Sequence, residues 1–419
     1  THGRTYSNKF LGGLQDSTSE MAWICLGLGE MGSAENFSGT FMATSGYVPP
    51  PLLEELAVQT SGHHEHRQRD SISIEDGPQW GLSYEGMLDV VFWAGLSALV
   101  APEVVNGTVG MLDEYGLWNG FLFGDIPEPF DSMIKQMAGT PELEQLATEM
   151  EVVARGIALE TVSTYTYRTP HYQLSGAQDT KAGYWAAQTQ MWQATLDNEA
   201  YVLTSFPGKM DDLEAGLEFG DQWIGGWLPR VTMYRNVGVI QYRKDSVPLL
   251  DDYLTADYLH AFFPKAGFDE VLEADNWVFG RKGEAYLALG SQHPVYFSEE
   301  NDYELRSDFT ENVWVIELGS EDEWEDFEAF VAAVSGAALT FDEEVAYDSP
   351  SRGMVRVAWE GPFVVAGNEV DLGPFRRWDN EHCVQESGSS EMVVFGETTR
   401  LRLDFESGER VLESPVLSP

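Results

Sequence analysis

Apolar residues in the first 150 positions recur mostly at helical spacing. Met87, Leu88, Val91 and Phe92, for example, fall on one side of a helix. Proline or small polar residues precede several of these segments, as is usual at a helix start. Their wide apolar faces indicate helices packed in layers, as in a helical toroid. The pattern predicts helices over residues 18–31, 50–58, 85–100, 102–115 and 140–154.

From about residue 157 the spacing of apolar residues changes from helical to every second position. β-branched and aromatic residues alternate with polar ones, and Gly, Pro, Asn and Asp separate the runs, which is typical of an antiparallel β-sandwich. A single helix is predicted among them, near residues 321–335. The clearest strand runs lie at residues 160–168, 201–204, 235–242, 277–280, 285–290, 313–318, 353–360 and 399–405.

No flexible linker accompanies this change of period, which favours two tightly packed regions. Residues 1–155 are predicted to be helical and residues 156–419 to form the sandwich. The expected fold class is α+β: an N-terminal α/α toroid-like region, abbreviated or incomplete, packed on a C-terminal antiparallel β-sandwich.

The charge of the chain is strongly negative. Its 419 residues include 24 Lys and Arg against 69 Asp and Glu, for a net charge of −45, yet 43% of them are hydrophobic. Such apolar content argues for a folded core rather than acidic disorder. The general field disfavours nucleic acid and anionic membranes as partners. No apolar run is long enough for a membrane span, so a soluble protein is expected.

Molar salt offers a reason for this acidity. Screening shortens the Debye length from about 8 Å at 0.15 M to about 3 Å at 1 M salt, which suppresses repulsion between surface carboxylates. The composition resembles that of proteins from extreme halophiles. The chain starts at Thr1 with polar sequence rather than the apolar core of a signal peptide, and a longer natural chain is one interpretation.

Arginine, lysine and histidine are scarce elsewhere, but five of the seven residues from His63 to Arg69, in the sequence HHEHRQR, are histidine or arginine. Arginine guanidinium groups can bind a carboxylate or sulfate with two parallel hydrogen bonds, and a neighbouring imidazole can transfer a proton. Two other interpretations remain open: the cations pair with local carboxylates such as Asp70, or the histidines bind a metal without the HExxH spacing. A loop or strand end is expected here.

Two further clusters combine imidazole, guanidinium and phenol groups. The first is His2, Arg4 and Tyr6 at the start of the chain. The second begins at Tyr165 and Tyr167 and is followed by aromatic residues that suit sugar stacking, although alternation also explains these tyrosines as core residues. Its other candidates are Arg168, His171, Tyr172, Trp185 and Trp192.

Several common catalytic classes lack their motifs in this chain. There is no G-x-S-x-G elbow, no P-loop and no complete dinucleotide-binding glycine motif. Cys25 and Cys383 have no metal-binding or nucleophile spacing. No cofactor and no protein metal-ligand set are predicted, and a structural or substrate-bridging divalent cation stays open.

Four segments carry a resemblance to an uncharacterised family of heparinase II/III-like architecture: H2-G-R-x-Y6, H64-E-x-R-Q-R69, R168-T-P-x-Y172 and W192-Q-A-T-L196. The chain as a whole is similar to toroid-plus-sandwich polysaccharide lyases. The resemblance implies β-elimination on an acidic, uronate-containing polysaccharide or oligosaccharide.

The implied mechanism assigns roles by residue type. Tyr6 or Tyr167 acts as base and acid with help from His64 or His171, since a tyrosine needs cations beside it to act as a base. The remaining candidates bind substrate carboxylates or sugar rings: His2, Arg4, Arg67, Arg69, Arg168, Tyr172, Trp185 and Trp192.

Two alternatives from other classes remain. A glycoside hydrolase needs two facing carboxylates, for which Glu65, Glu75, Asp76 and Asp179 are the nearest candidates. A non-catalytic carbohydrate-binding or assembly protein keeps the aromatic residues without a converging acid and base.

Overall fold

The computed structural model describes residues 63–70, 102–117, 161–187, 190–207, 225–244, 255–299, 301–395 and 400–413, with shorter stretches between 132 and 152 and between 247 and 251. Of these residues 48% lie in strands, which pair in antiparallel sheets, and 12% lie in helices. The helices predicted at 18–31, 50–58 and 85–100 lie outside the described residues.

The main sheet has thirteen strands, and its strand order is β14-β15-β10-β6-β5-β3-β2-β1-β22-β23-β24-β25-β26. With numbering in chain order, these strands are β1 His64–Asp70, β2 Val162–Arg168, β3 Gln173–Gln178, β5 Trp192–Thr195, β6 Tyr201–Ser205, β10 Leu259–Phe262, β14 Tyr296–Phe297, β15 Glu304–Ser307, β22 Trp378–Asn380, β23 Cys383–Gln385, β24 Glu391–Phe395, β25 Arg400–Asp404 and β26 Arg410–Glu413.

A second sheet of six strands, in the order β11-β12-β13-β16-β9-β8, packs against the main sheet. Its strands are β8 Arg230–Tyr234, β9 Val237–Tyr242, β11 Glu270–Ala274, β12 Trp277–Lys282, β13 Ala285–Ser291 and β16 Asn312–Ser320. Alternate residues of its inner strands enter two different cores: Leu287 and Ile316 face the main sheet, whereas Tyr286 and Val315 face away from it. Burial on both faces explains their nearly continuous apolar sequence.

The second core is closed by a smaller sheet and a helix. A five-stranded sheet contains β17 Leu339–Phe341, β18 Val345–Ser349, β19 Gly353–Val357, β20 Phe363–Val365 and β21 Asn368–Glu369. The helix α2, Phe327–Ser335, buries Phe330 and Val334 in this core, and the Asp326 carboxylate caps its start by accepting from the Ala329 N–H. It lies within the range where the sequence predicts a helix.

The remaining described elements are short or peripheral. Strands β4 Trp185–Ala187 and β7 Gly225–Trp227 form a two-stranded sheet, and Lys265–Gly267 forms a 3₁₀ turn. The helix α1, Pro102–Tyr115, confirms the helix predicted at 102–115. Among the described residues no helix has the length and apolar character needed to cross a bilayer.

The predicted fold class is wrong: the chain does not have an α/α toroid packed on a β-sandwich, because its described residues are predominantly β. The segment His64–Asp70 comes from the region predicted to be helical, yet it is an inner strand of the main sheet, between β2 and β22. Its side chains are polar throughout, so apolar periodicity gave no sign of a strand there.

Candidate functional site

The pairing of β1 with β2 brings two of the three basic and aromatic clusters side by side. In the antiparallel register Glu65 lies opposite Tyr167, and Arg67 lies opposite Tyr165. Residues directly opposite on antiparallel strands have their side chains on the same face of the sheet. One face of this strand pair therefore carries carboxylate, guanidinium and phenol groups together.

The strand β1 alternates between buried and partly exposed polar residues. His64, His66 and Gln68 are buried on one face, while Glu65, Arg67 and Arg69 are partly exposed on the other. The period of two is that of any half-buried strand, but imidazoles and an amide replace the usual apolar residues. The buried positions of β1 therefore carry polar groups that need partners.

A cleft of about 610 Å³ opens at the start of β1. Strands β1, β2 and β22 and the turn between β8 and β9 supply its walls. The residues that line it are His63, His64, Glu65, Arg67, Tyr167, Arg235, Asp379, Asn380 and Glu381. Several basic residues of a chain with net charge −45 thus face a single cleft, together with three carboxylates.

A chain of hydrogen bonds fixes the wall formed by Glu65. The Glu65 carboxylate accepts from Arg67 Nη2 at 3.1 Å and from Tyr165 Oη at 3.2 Å. The same phenol oxygen accepts from the backbone N–H of Arg235 at 2.9 Å. Burial, together with Glu65, raises the pKa of Tyr165 well above its usual value, so this phenol stays a donor.

Arg235 occupies a strained position in the turn between β8 and β9. Its φ is 52°, in the left-handed region that non-glycine residues rarely adopt. The neighbouring Asn236 is fully buried and donates through Nδ2 to the Leu318 carbonyl at 2.6 Å and to Ser351 Oγ at 3.0 Å. These bonds hold the turn, and a positive φ at the first central residue is what a two-residue hairpin turn requires.

Asn236 also positions a second guanidinium, since its Oδ1 accepts from Arg352 Nε at 2.5 Å. The charges of Arg352 and Arg235 both favour the phenolate of Tyr167. Burial acts in the opposite direction and dominates, so the pKa of Tyr167 is raised above its usual value. Tyr167 is thus a protonated phenol near two guanidinium groups.

His63 supplies an exposed imidazole beside that phenol. Its ring centroid lies 6.4 Å from the centroid of Tyr167, and the two rings are tilted by 55°. His63 directly precedes β1, so its position follows from the β1–β2 register. An imidazole and a phenol, both of which can act as a general acid or base, face the same cleft.

Three imidazoles stack along the buried side of the cleft. The His64 ring lies between His66, at 5.8 Å, and His382, at 5.6 Å, with 13° between the planes of each pair. Trp378 extends the stack beyond His66 at 5.4 Å. Burial is the main cause that lowers the pKa of His64, and the nearby His382 acts in the same direction.

The turn Glu381–His382 between β22 and β23 closes the cleft over this stack. Asn380 holds the turn: its Oδ1 accepts from the backbone N–H of His382 at 2.8 Å and of Cys383 at 2.9 Å. Asn380 Nδ2 lies 2.9 Å from His66 Nδ1 and so joins the turn to β1. The Glu381 carboxylate thereby lies beside two histidine rings.

The structure places the predicted site residues in different environments. His64, Arg67 and Tyr167 line the cleft. His171 lies away from it, with Asp322 at 2.9 Å from Nε2 and Glu284 at 3.4 Å from Nδ1. His2, Arg4 and Tyr6 lie outside the described residues.

The tyrosine and tryptophans predicted to bind sugar are largely buried. Tyr172 donates to both oxygens of the Glu323 carboxylate at 3.1 Å, and burial raises its pKa. Trp185 and Trp192 belong to the main core, and Trp192 Nε1 donates to Thr204 Oγ1 at 2.7 Å. Neither indole presents a face to a sugar in the cleft.

Two predicted arginines lie next to the cleft rather than in it. Arg168 is opposite His64 in the β1–β2 register, and its charge contributes to lowering the pKa of His64. Arg69 lies at the other end of β1, where its backbone N–H donates to the Arg376 carbonyl at 2.8 Å. Neither is among the residues that line the cleft.

Sequence reasoning missed the contributions of β22 and of the β8–β9 turn. The sequence analysis places Arg235 and Asn236 at the start of the strand run 235–242, whereas they form the two-residue turn between β8 and β9, and nothing in the sequence indicates the proximity of this turn to β1. Asp379, Asn380, Glu381 and His382 carry no motif at all. Only long-range pairing, His66 opposite Asn380, brings them to the site.

The chain matches no family model, no curated protein and no solved structure.

Proposed function

We propose that the chain cleaves an acidic, uronate-containing polysaccharide by β-elimination in the cleft at the start of β1. The observation that carries the proposal is the juxtaposition of the imidazole of His63 with the phenol of Tyr167, their centroids 6.4 Å apart, in a cleft that Arg67 and Arg235 also line. A base, an acid and cations for a carboxylate are the three requirements of this reaction.

Tyr167 is assigned the role of acid. Because burial raises its pKa, the phenol holds its proton at neutral pH and can give it to the leaving oxygen at C4. The nearby charges of Arg235 and Arg352 stabilise the phenolate that this step produces. This differs from the role implied by the resemblance, in which one tyrosine is both base and acid.

His63 is assigned the role of base. Its imidazole takes the proton from C5, the electron pair forms the C4–C5 double bond, and the C4–O bond breaks as Tyr167 protonates the departing oxygen. The imidazolium then returns its proton to the phenolate, directly or through water. Protons and electrons balance without an external oxidant or reductant.

Arg235 is the best placed group to bind the substrate carboxylate. Its backbone is held by the bond from its N–H to Tyr165 Oη, whereas no carboxylate partner is described for its guanidinium within ion-pairing distance. Arg67 already pairs with Glu65 at 3.1 Å. Neutralising the uronate carboxylate acidifies the C5 proton, which is the electrostatic part of the catalysis.

The hydrolase alternative retains one of its predicted carboxylates in the cleft, Glu65. Asp179 instead accepts from the buried Arg230 at 2.7 Å, and Glu75 and Asp76 lie outside the described residues. New reducing ends without an unsaturated product would support this alternative.

The decisive experiment is incubation of the chain with a panel of uronate polysaccharides in molar salt. Ultraviolet absorbance reports the C4–C5 unsaturated product, and a parallel assay measures reducing ends. Both signals should rise together on at least one uronate polymer and on no neutral glucan. Binding of a polymer without either signal would contradict the proposal and favour a carbohydrate-binding protein.

A further inference from the structure

The turn between β22 and β23 brings three metal-ligating side chains together above β1. These are His64, Glu381 and His382, whose ligand atoms all lie within 4.8 Å of one another. The Glu381 Oε1 atom is the common neighbour, 3.9 Å from His64 Nδ1 and 3.5 Å from His382 Nε2. We propose that these residues form a binding site for a divalent transition metal, with zinc as the best fit.

The ligand types favour zinc over the harder cations. Two imidazoles and one carboxylate are a common zinc ligand set, whereas Ca²⁺ and Mg²⁺ prefer oxygen ligands throughout. Tetrahedral zinc with bonds of about 2.0–2.1 Å requires ligand atoms about 3.3 Å apart. Because all the ligand atoms lie within 4.8 Å of one another, no pair of them has to approach by more than about 1.5 Å.

The two ligands in the turn are free to make that adjustment. The side chains of Glu381 and His382 are 61% and 35% exposed, whereas that of His64 is only 2% exposed. His64 is thus the fixed ligand, and rotation of the other two brings their ligand atoms towards it. Asn380 fixes the backbone beneath them through the N–H groups of His382 and Cys383.

A fourth ligand would enter from the cleft, which His64 and Glu381 both line. Three protein ligands with an open fourth position are the arrangement of catalytic rather than structural zinc. The catalytic role of the metal rests on the proposed function: in a lyase, a metal here supplies a second positive charge for the uronate carboxylate. Metal binding itself requires no such substrate.

The test uses the full chain, treated with a chelator and dialysed in molar salt, with Co²⁺ as a spectroscopic probe. The wild type should bind one Co²⁺ with the visible spectrum of a four-coordinate site, and Zn²⁺ but not Mg²⁺ should displace it. E381Q and H382N should each weaken Co²⁺ binding at least about 10-fold. Circular dichroism checks the fold, and both residues lie in an exposed turn.

H293N is the matched control, because His293 stacks on Phe309 at 3.7 Å and is not part of the cluster. It should bind Co²⁺ as the wild type does. Failure of the wild type to bind Co²⁺, or equal affinity in E381Q, H382N and the wild type, would overturn the metal site. Since no polysaccharide is present, that result is independent of whether the chain is a lyase.

Discussion

The phenol of Tyr165 donates a 3.2 Å hydrogen bond to the carboxylate of Glu65, 100 positions earlier in the chain. The same oxygen accepts from the N–H of Arg235, so one buried phenol ties β1 and β2 to the β8–β9 turn. Tyr167 on β2, His63 directly before β1 and Arg235 in the turn are the acid, the base and one cation of the proposed reaction. The Tyr165 side chain therefore sets the geometry of the cleft, although it does not line it.

Replacing Tyr167 by Phe should reduce turnover on a cleaved uronate polymer by about 10²–10⁴-fold, the usual contribution of a general acid. The ring and its packing remain, so the melting temperature should change little. Tyr296→Phe removes an exposed phenol elsewhere, which donates to Asp308, and serves as the control. Full activity of Tyr167→Phe would exclude this phenol as the acid.

Replacing Arg235 by Gly should separate stability from activity. Glycine adopts the φ of 52° without strain, so the substitution should stabilise the turn by up to about 1 kcal/mol. Loss of the guanidinium should raise the KM for a uronate polymer and lower kcat, because the carboxylate loses its cation. Arg235→Lys, which keeps the charge and the strain, should retain part of the activity.

Thermal unfolding together with steady-state kinetics measures both effects of Arg235→Gly. A variant that is strongly destabilised would show that the guanidinium, which lies 5.5 Å from the Tyr234 ring, is mainly structural. Unchanged kinetics with unchanged stability would remove Arg235 from the proposed mechanism.

The buried pair of Glu304 and His260 should make stability depend on pH in the acid range. Burial opposes the charge of Glu304, but the contact with His260 Nδ1 at 2.9 Å and the ion pair with Arg306, whose Nε lies 2.8 Å away, outweigh it and lower the pKa of Glu304 to about 2. The unfolded chain binds this proton near pH 4.5. The stabilisation is therefore complete above pH 4.5 and is lost as the pH falls towards 2.

The contribution of Glu304 is about 3 kcal/mol at most, from the difference between the two pKa values. Denaturant unfolding at several pH values should show a shallower loss of stability between pH 4.5 and 2 in Glu304→Gln than in the wild type. Glu344→Gln, which removes an exposed partner of Arg356, should leave the wild-type slope unchanged. Equal slopes in all three proteins would refute the assignment.

Salt should stabilise the fold. The net charge of −45 makes the surface carboxylates repel one another, and screening in molar salt confines that repulsion to short distances. We expect the far-ultraviolet circular dichroism of the folded chain to be lost below about 0.5 M NaCl and to return on readdition. An equal osmolality of glycerol should not substitute, since it does not screen charge. An unchanged spectrum after desalting would contradict adaptation to salt.

The sequence predicts much of the β structure because apolar alternation is strong there. The run predicted at 313–318 lies within β16, Asn312–Ser320, and the run at 285–290 lies within β13, Ala285–Ser291. Their two buried faces produce dense β-branched and aromatic sequence. The predicted toroid is wrong, because apolar spacing gives no sign of β1, whose side chains are all polar and which pairs inside the main sheet.

Only some residues of the cleft could be predicted, because pairing between strands far apart in the sequence brings them together. His64, Arg67 and Tyr167 stand out by residue type, yet only the register that sets Glu65 opposite Tyr167 shows that they meet. In β1 buried and partly exposed residues alternate, but the buried residues are His and Gln instead of apolar residues, and the partly exposed ones are Glu and Arg. A search for alternating polar side chains would have found this strand.

The bond between Asn380 and His66 spans 314 positions, and it joins the two edges of the cleft. Closing so long a segment of chain has a high entropic cost, and contacts of this kind form slowly during folding. Hairpins such as the β8–β9 turn need only local closure. We therefore expect the cleft to be assembled late, after the central sheets, so that partly folded chains bind neither metal nor polysaccharide there.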